Sequence, residues 1–497
     1  MQDLLLGIDI GTTAVKAALF TRDGALQAVG SHDHPIYYVR PGWVEQNPND
    51  WWTATCAAIR AALAQIPDGA DRVAGLAVSA QAPTLIALDA AGKPLRPALI
   101  WMDRRAEAEA TDMAARFDVY ALTGNRADAF YVAPKLRWLH LHEPEIARQT
   151  RYFVQITGYI NYRLTGTFTL DAAHAGLLQL RTPSGAWIAA LCDFCGVTPE
   201  QFPPILPGHA LQGDTTPSAA AETGLRTGTP VMVGTVDGAA AALEAGVAEI
   251  GIAAEMTGTS TVLLMPNADN ARESAFIAMP HAIPNVDLLL GAMVASGASL
   301  KWFKEQFTSA DSFDALTDAA AQIDVGADGV IFLPYMMGER APLWHTNARG
   351  VLFGLSLATT SAAVVRAILE GTAFALRHNV EVAAGAGVRV DEIRSVGGGA
   401  RSALWSQIKA DVLGIPIAIP AASVGAPFGD ALLAGMGVGW YPDIRTTARA
   451  LVRIERRCAP DAARHARYDA IYPLFRDLYV HLRHDFDRAA EIMASFR

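Results

Sequence analysis

Two short turns with phosphate-binding chemistry lie in opposite halves of the chain. The first reads Gly11-Thr12-Thr13 and the second Gly258-Thr259-Ser260, and apolar runs typical of β-strands adjoin both. Glycine lets backbone N–H groups approach a ligand closely, and the hydroxyls add further donors, so such a turn can hold a phosphate. One turn alone is weak evidence, because Gly and Thr are common in ordinary turns. The pair predicts one phosphate chain held between two related domains.

A carboxylate precedes only the first turn. Asp9 stands at the end of the preceding strand, and Mg²⁺ is usually held by one or two carboxylates together with substrate phosphates. Asp9 is therefore predicted to bind Mg²⁺; the alternative is an Asp that caps its own turn. Lys16 could reach a phosphate oxygen, although a lysine on a strand is usually just solvated. The chain continues as a strand and a hairpin, unlike the strand-to-helix order of Walker and dinucleotide loops.

A second carboxylate lies where α/β proteins place catalytic groups. Asp237 follows the apolar strand 230–234 and begins a predicted helix, 238–245. It could accept the proton of a substrate hydroxyl that attacks a γ-phosphate, or it could be an ordinary helix N-cap. The triplet Gly397-Gly398-Gly399 precedes another helix. It predicts either close contact with a flat base or an α-phosphate, or only a strand-to-helix turn.

Composition bounds the class of protein. The chain has 497 residues, of which 51% are hydrophobic and 18% charged, enough for two large cores and without any sign of disorder. A formal charge of −10 argues against nonspecific nucleic-acid binding. No apolar run is long enough to span a bilayer, and the N-terminus has no signal-peptide pattern, so a cytoplasmic location is expected.

Strands alternate with helical stretches in both halves, which indicates an α/β fold. The domain boundary is predicted near Gly246, giving domains 1–245 and 246–497. The clearest predicted helices and strands are the helices 51–63, 361–382 and 402–413 and the strands 73–78 and 393–396. The segment 182–229, rich in Pro, Gly and Thr, is predicted to consist of surface connections.

The cysteine pair Cys192 and Cys195 has a spacing compatible with half a zinc site or a redox pair. A structural zinc site needs four ligands, and no second pair with ligand spacing is present. Two ordinary buried thiols are therefore expected.

Taken in order along the chain, these landmarks resemble the FGGY family of carbohydrate kinases, and within it the xylulose kinases most. The likeness runs from Leu4 to about Leu482. The segments that carry it are Gly7-Ile8-Asp9-Ile10-Gly11-Thr12-Thr13, Ile100-Trp101-Met102-Asp103-Arg104-Arg105, 133–139, Gly258-Thr259-Ser260, Phe332-Leu333-Pro334-Tyr335, Gly338-Glu339-Arg340-Ala341-Pro342, 349–355, 367–370, 397–405 and 425–434.

The resemblance implies two ribonuclease-H-like domains of the actin, sugar-kinase and heat-shock chaperone superfamily, with a cleft between them. It implies ATP and Mg²⁺ as cofactors and transfer of the γ-phosphate to a hydroxyl of a xylulose-like ketose or a related polyol, with a homodimer as the expected assembly. One alternative is a kinase of another sugar or polyol of the family, such as ribulose, fuculose or an erythritol-like polyol. Another is an actin-like or chaperone-like ATPase.

The resemblance also implies roles for individual residues. Asp9 would bind Mg²⁺ and Asp237 would be the general base. The terminal phosphates would contact Gly11, Thr12, Thr13 and Lys16, the nucleotide in the second domain would contact Gly258, Thr259, Gly297, Gly398, Gly399 and Ser402, and the sugar would contact Gln81, Ala82, Trp101, Asp103, Asp237 and Gly238.

Two departures from the xylulose kinases lie in the sugar region. Gln81-Ala82-Pro83-Thr84 stands where those enzymes carry Gln-Met-His-Gly, and Gly238 stands where they carry Asn. A site that bonds a hydroxyl discriminates strongly against analogues that lack it, so lost polar groups predict a different or broader substrate.

Overall fold

The computed structural model describes residues 2–268, 271–310, 312–421 and 424–496, and they form an α/β protein. The chain divides into two compact units. The first unit contains Met1–Ala248, Ala278–Leu288 and Val424–Val452; the second contains Glu249–Ile277, Leu289–Ser423 and Arg453–Arg497. The first unit is therefore assembled from three separate stretches of chain. The division into domains 1–245 and 246–497 stays a prediction, as does the assignment of the sugar, Mg²⁺ and terminal phosphates to the first and of the nucleotide to the second.

The strands follow in chain order. They are β1 Leu4–Ile10, β2 Ala14–Thr21, β3 Leu26–Asp33, β4 Tyr37–Arg40, β5 Trp43–Gln46, β6 Val73–Ala80, β7 Ile86–Leu88, β8 Ala98–Leu99, β9 Tyr152–Val154, β10 Leu170–Asp171, β11 Ile205–Leu206, β12 Leu211–Asp214, β13 Pro230–Met232, β14 Thr235–Val236, β15 Gly251–Thr257, β16 Thr261–Asn267, β17 Ile277–Pro280, β18 Asp287–Met293, β19 Ile331–Leu333, β20 Val351–Phe353, β21 Val390–Val396, β22 Ile417–Pro420 and β23 Ile454–Cys458.

The helices are α1 Pro48–Leu63, α2 Gly69–Arg72, α3 Glu107–Arg116, α4 Val119–Thr123, α5 Val132–His142, α6 Pro144–Gln149, α7 Ile156–Thr165, α8 Ala172–Leu177, α9 Ala189–Cys195, α10 Pro217–Thr223, α11 Asp237–Glu244, α12 Gly297–Phe307, α13 Phe313–Ala320, α14 Ser361–Gly385, α15 Ala403–Leu413, α16 Pro427–Gly437, α17 Ile444–Leu451 and α18 Ala462–Ala494. Short 3₁₀ turns occupy Pro199–Gln201, Ala327–Gly329 and Gly398–Arg401.

The main sheet of the first unit has the strand order β12-β13-β6-β1-β2-β3, and β14 also pairs with β6. The strands β1, β2 and β3 are antiparallel neighbours, whereas β6 runs parallel to β1 and β13 parallel to β6. Three antiparallel strands followed by two parallel ones is the ribonuclease-H-like arrangement. Helices cover both faces of the central strands: α1 packs in one apolar cluster with Leu6 and Ile8, and α16 packs in another with Leu5 and Ala77.

The second unit repeats this arrangement. Its sheet has the order β17-β18-β16-β15-β21-β22-β23. The hairpin of β15 and β16 is antiparallel, β21 runs parallel to β15, and β22 runs parallel to β21. The central strand of each sheet therefore has an antiparallel partner on one side and a parallel partner on the other. The predicted fold class, with two related ribonuclease-H-like domains, is confirmed.

Local sequence signals explain most of the predicted elements. Asn47 accepts a hydrogen bond from the N–H of Asn49 and Pro48 begins α1, a favourable helix start. Thr360 caps α14 in the same way. The predicted helices at 51–63, 361–382 and 402–413 are confirmed, with small shifts at their ends.

The prediction for 182–229 was wrong in part, because α9, β11, β12 and α10 lie within that segment. The alanines of α10 favour a helix, but the Pro and Thr residues around them favour a loop, and the prediction followed the latter. Cys192 and Cys195 belong to α9 and are buried with free thiols. Among the described helices, none has the length and continuous apolar character needed to cross a membrane.

Candidate active site

The carboxyl ends of three neighbouring strands meet at one edge of the first unit's sheet. Ile10, the last residue of β1, and Val236, the last residue of β14, both pair with Ala80 at the end of β6, which lies between them. The residues that follow them, Gly11, Gln81 and Asp237, therefore lie side by side, and the Gln81 N–H donates to the carbonyl of Ile10 at 2.9 Å. The sheet thus brings together the predicted phosphate turn, the predicted sugar segment and the predicted general base.

The first turn is connected to the sugar segment by hydrogen bonds. It links β1 to β2, and the indole N–H of Trp101 donates to Thr12 Oγ1 at 3.3 Å. Gln46 Nε2 donates to the Thr12 carbonyl at 2.9 Å, and its Oε1 accepts from Gln81 Nε2 at 2.6 Å. Gln81 Oε1 is buried and has no hydrogen-bond partner in the described part of the chain. That oxygen is available for a substrate hydroxyl.

Asp237 is the first residue of α11; Val236 occupies the N-cap position, and no side chain caps this helix start. The N-cap alternative is therefore wrong. The carboxylate accepts the N–H of Gly238 at 2.7 Å. Burial raises the pKa of Asp237 from 3.8 to about 6, although the Gly238 hydrogen bond and the nearby His174 lower it. A carboxylate with this pKa is ionised at neutral pH and still basic enough to accept a proton.

Asp9 lies near two other carboxylates of the first unit, Asp237 and Glu244. Burial and then the charge of Asp237 raise the pKa of Asp9 to about 7, while the exposed Lys16 lowers it and Glu244 raises it further. Asp9 Oδ1 is buried without a hydrogen-bond partner in the described ranges, so this oxygen does not cap the turn. Burial, together with Asp9 and Asp237, likewise raises the pKa of Asp430.

The donor set fits one divalent cation bound mainly through its own waters and phosphate oxygens. Across the described residues, no three His, Cys, Asp or Glu side chains form a ready-made metal cage. Asp9 instead supplies a partnerless carboxylate oxygen among several negative charges. Mg²⁺ is commonly held by one or two carboxylates with water and substrate phosphate, which is the chemistry that Asp9 and the adjoining turn offer.

The predicted sugar residues do not all have free polar groups. Asp103 is fully buried, and its carboxylate accepts from Val44 N–H at 2.6 Å and from Arg105 Nε and Nη2 at 2.9 and 2.8 Å. Ala82 follows Gln81 and is partly buried, whereas Gly238 is buried in the first turn of α11. A contact between these residues and the sugar stays a prediction.

Sequence reasoning missed a histidine and an aspartate near Asp237. His174 is 0% exposed, its Nδ1 is hydrogen-bonded to Asp171 Oδ2, and its Nε2 has no partner in the described residues. Asp171 Oδ1 also accepts from Thr235 Oγ1 at 3.2 Å, which joins α8 to the strand before Asp237. No motif points to these residues. The only available signal was polarity in the otherwise small and apolar segment 170–178.

In the second unit, residues predicted to contact the nucleotide lie at the turn 258–260 and at the start of α12. Gly258 N–H donates to the Ser260 carbonyl at 2.9 Å, and the first N–H groups of α12 donate to turn carbonyls, including Gly297 to Gly258 at 3.1 Å. A Cβ on Gly297 would lie 2.2 Å from the Gly258 oxygen, so only glycine fits there. Gly258 itself has open space on its Cβ side, where a ligand could approach.

The glycine triplet packs against the end of β15. A Cβ on Gly399 would lie 2.5 Å from Thr257 Cγ2, whereas Gly398 has open space on its Cβ side. Ser402 caps α15 by accepting the N–H of Trp405 at 3.2 Å. Of the six nucleotide residues predicted in this half, Gly258 follows Thr257 directly and Gly399 packs against it, while Gly398 has open space on its Cβ side where a ligand could approach.

Comparisons with known proteins assign the family. The model of the FGGY family of carbohydrate kinases, N-terminal domain, matches residues 4–244, and the C-terminal domain of the same family matches 253–438. The chain belongs to the FGGY family of carbohydrate kinases. It is 31% identical to the xylulose kinase of Bacillus subtilis (strain 168) and 33% identical to that of Escherichia coli (strain K12), covering 96% of this chain in both cases and 97% and 99% of the relatives.

A solved structure of a xylulose kinase has the same fold as this chain. The crystal structure of xylulose kinase from Rhodospirillum rubrum superposes with a TM-score of 0.90 and 32% identity, over 97% of this chain and 100% of the other. The predicted family and the activity as a sugar kinase are confirmed. As an FGGY kinase the protein phosphorylates a small carbohydrate with ATP, which leaves the alternative of an actin-like or chaperone-like ATPase without support.

Proposed function

We propose that this FGGY kinase transfers the γ-phosphate of ATP to a hydroxyl of a xylulose-like ketose or a related polyol, with Asp237 as the general base. The main support is the position of Asp237 beside Gln81 and Gly11 at the carboxyl ends of three adjacent strands. The xylulose kinases among its relatives suggest the class of sugar. The predicted homodimer remains a prediction.

In this proposal, Asp237 accepts the proton of the sugar hydroxyl as that oxygen attacks the γ-phosphorus. Its Gly238 hydrogen bond fixes the carboxylate at the start of α11. The other lone pairs of the Asp237 carboxylate are able to accept a hydrogen bond from the sugar hydroxyl. Because phosphoryl transfer has a loose transition state, catalysis depends mainly on positioning and on stabilising charge.

The phosphates and the metal are assigned to the neighbouring turn of the first unit. Gly11, Thr12 and Thr13 supply N–H and hydroxyl donors for the terminal phosphates, and Lys16 supplies a positive charge. When bound through Asp9, Mg²⁺ would neutralise phosphate charge. In the second unit, we assign Gly258, Thr259, Gly297, Gly398, Gly399 and Ser402 to the nucleotide.

The sugar itself is the least constrained part of the proposal. Gln81 presents a partnerless Oε1, and Trp101 lies against Thr12. The changes at Gln81-Ala82-Pro83-Thr84 and Gly238 favour the second candidate, a kinase of another sugar or polyol such as ribulose, fuculose or an erythritol-like compound.

A substrate panel tests the proposal. Pentuloses, hexuloses and polyols with four to six carbons are compared in an ADP-release assay with ATP and Mg²⁺. We expect one pentulose or polyol to give the highest kcat/KM and ATP turnover without sugar to be negligible. ATP hydrolysis that is equally fast with and without every sugar would contradict the proposal.

The acidic limb of the pH profile is expected to report Asp237. The base must be ionised to accept a proton, and its pKa is raised to about 6, so kcat/KM for the sugar should fall below about pH 6. The slope should approach a tenfold loss per pH unit, as for one ionisation. The measurement is kcat/KM for the sugar at saturating ATP and Mg²⁺. A profile that is flat between pH 5 and 7 would exclude this assignment.

Asp9→Asn is expected to raise the Mg²⁺ concentration for half-maximal activity by about tenfold or more, because a neutral amide replaces the anionic ligand. The measurement is activity against free Mg²⁺ at constant ATP. Asp33→Asn is the matched control, since Asp33 is an exposed carboxylate at the end of β3. Equal Mg²⁺ requirements in the Asp9 variant and the wild type would rule out Asp9 as the ligand.

A further inference from the structure

A buried ion pair lies beneath the nucleotide turn of the second unit. Glu255 on β15 is 0% exposed and Lys409 on α15 is 3% exposed, and Lys409 Nζ lies 2.5 Å from Glu255 Oε1. Charged side chains are rarely buried so completely. Replacing a buried ion pair by apolar residues is often neutral or stabilising, so stability alone does not explain this pair.

The pair is connected by hydroxyl groups to both ends of the turn. Thr257 donates to Glu255 Oε1 and also lies 3.2 Å from Lys409 Nζ. Thr257 Oγ1 is hydrogen-bonded to Thr261 Oγ1 at 2.8 Å, and these two residues pair across the hairpin on either side of 258–260. Thr261 Oγ1 is in turn hydrogen-bonded to Ser296 Oγ at 2.8 Å. The network therefore runs from the ion pair, under the turn, to the start of α12.

The same network reaches the glycine triplet. Ser395, on the strand that leads into the triplet, donates to Glu255 Oε2 at 2.5 Å. A Cβ on Gly397 would lie 2.7 Å from the Thr257 carbonyl oxygen, and Gly399 is packed against the Thr257 side chain. Any shift of Thr257 would therefore move the turn and the triplet together.

We propose that the Lys409–Glu255 pair is a positioning device that holds the turn 258–260, the start of α12 and the glycine triplet 397–399 in the geometry that binds the nucleotide. The inference rests on the proposed function of these segments. Neither charged group touches the ligand; both act through Thr257. Their effect is expected in the affinity for ATP and not in the affinity for the sugar.

The sharpest test separates positioning from stability. Lys409→Met, Glu255→Gln and the double variant Lys409→Met/Glu255→Leu are compared by thermal unfolding, KM for ATP and KM for the sugar. We expect the singles to lose stability and the double variant to regain it, while KM for ATP remains at least about tenfold raised in the double and KM for the sugar stays within about twofold. A double variant with the wild-type KM for ATP would overturn the inference.

A second pair of variants keeps the test valid even where the double variant does not fold. Thr257→Val removes the hydroxyl that joins the ion pair to the turn. Thr223→Val is its control, because Thr223 is also buried and its hydroxyl donates to the Ala219 carbonyl at 2.7 Å, within α10 of the first unit. We expect a raised KM for ATP, and weaker ADP binding by calorimetry, only in Thr257→Val. Equal nucleotide affinities in both variants would contradict the inference, whereas a wild-type protein that phosphorylates no sugar and binds no ADP would instead contradict the proposed function.

Discussion

Asp237→Asn is expected to lower kcat for sugar phosphorylation by about a thousandfold, within the range that general-base catalysis usually contributes. The amide keeps an oxygen that can accept the Gly238 N–H, which the carboxylate accepts at 2.7 Å, so the start of α11 should be unchanged. It cannot accept the proton of the attacking hydroxyl. The measurement is kcat on the best sugar of the panel, together with ATP affinity, which should be largely retained.

The stability of the same variant is its internal control. Because burial raises the pKa of Asp237 to about 6, the folded state binds the proton more tightly than the unfolded chain does. The free energy of unfolding therefore falls as the pH rises from about 4 through 6. At neutral pH and without ligands, Asp237→Asn should be more stable than the wild type, by on the order of 3 kcal/mol. A stable variant with wild-type turnover would show that Asp237 is not the base.

Gly398→Ala is expected to raise KM for ATP by about tenfold or more without changing the melting temperature. In the free protein a Cβ on Gly398 meets no atom within 4 Å, so the methyl group disturbs nothing. It would occupy space that we assign to the nucleotide, and the lost close approach corresponds to more than about 1.4 kcal/mol of binding free energy. The measurements are KM for ATP and the dissociation constant of ADP.

Gly385→Ala provides the matched comparison, because Gly385 also has open space on its Cβ side and belongs to α14 of the same unit. Alanine is favoured over glycine in a helix, so this variant should keep its ATP affinity and be slightly more stable. If Gly398→Ala bound ADP as tightly as Gly385→Ala does, the triplet would be only a strand-to-helix turn.

The elements predicted correctly from the sequence are those determined by residues close to one another along the chain. The strand-turn-strand around Gly11 and the helix that begins at Ser361 depend on residues within a few positions, and both were predicted correctly. Asp237 was singled out as a candidate because α/β proteins often place catalytic groups at the end of an apolar strand. The two central hairpins were recognised as related because their turn residues match.

The residues that were missed act across long stretches of chain. Asp430 accepts from Ser79 at 2.7 Å, and Lys409 pairs with Glu255, contacts that no local pattern encodes. A charged residue inside an apolar segment, such as Glu255 in 252–256, is a usable signal for a buried partner, but it does not say which residue that partner is. Asp103 was predicted from its motif alone, and the fixed position of Arg105 against it became visible only in three dimensions.

The first unit's dependence on residues 424–452 has a consequence for how the protein is made. The helix α16 packs against β1 and β6 so closely that a Cβ on Gly7 would lie 1.8 Å from the Pro427 carbonyl oxygen. A ribosome that has synthesised the opening strands must therefore produce most of the polypeptide before one face of their sheet is covered. Until then Leu5 and Ala77 lack the apolar side chains that cover them in the finished protein. A gene fragment ending at codon 245 should accordingly yield an aggregation-prone product rather than an isolated domain.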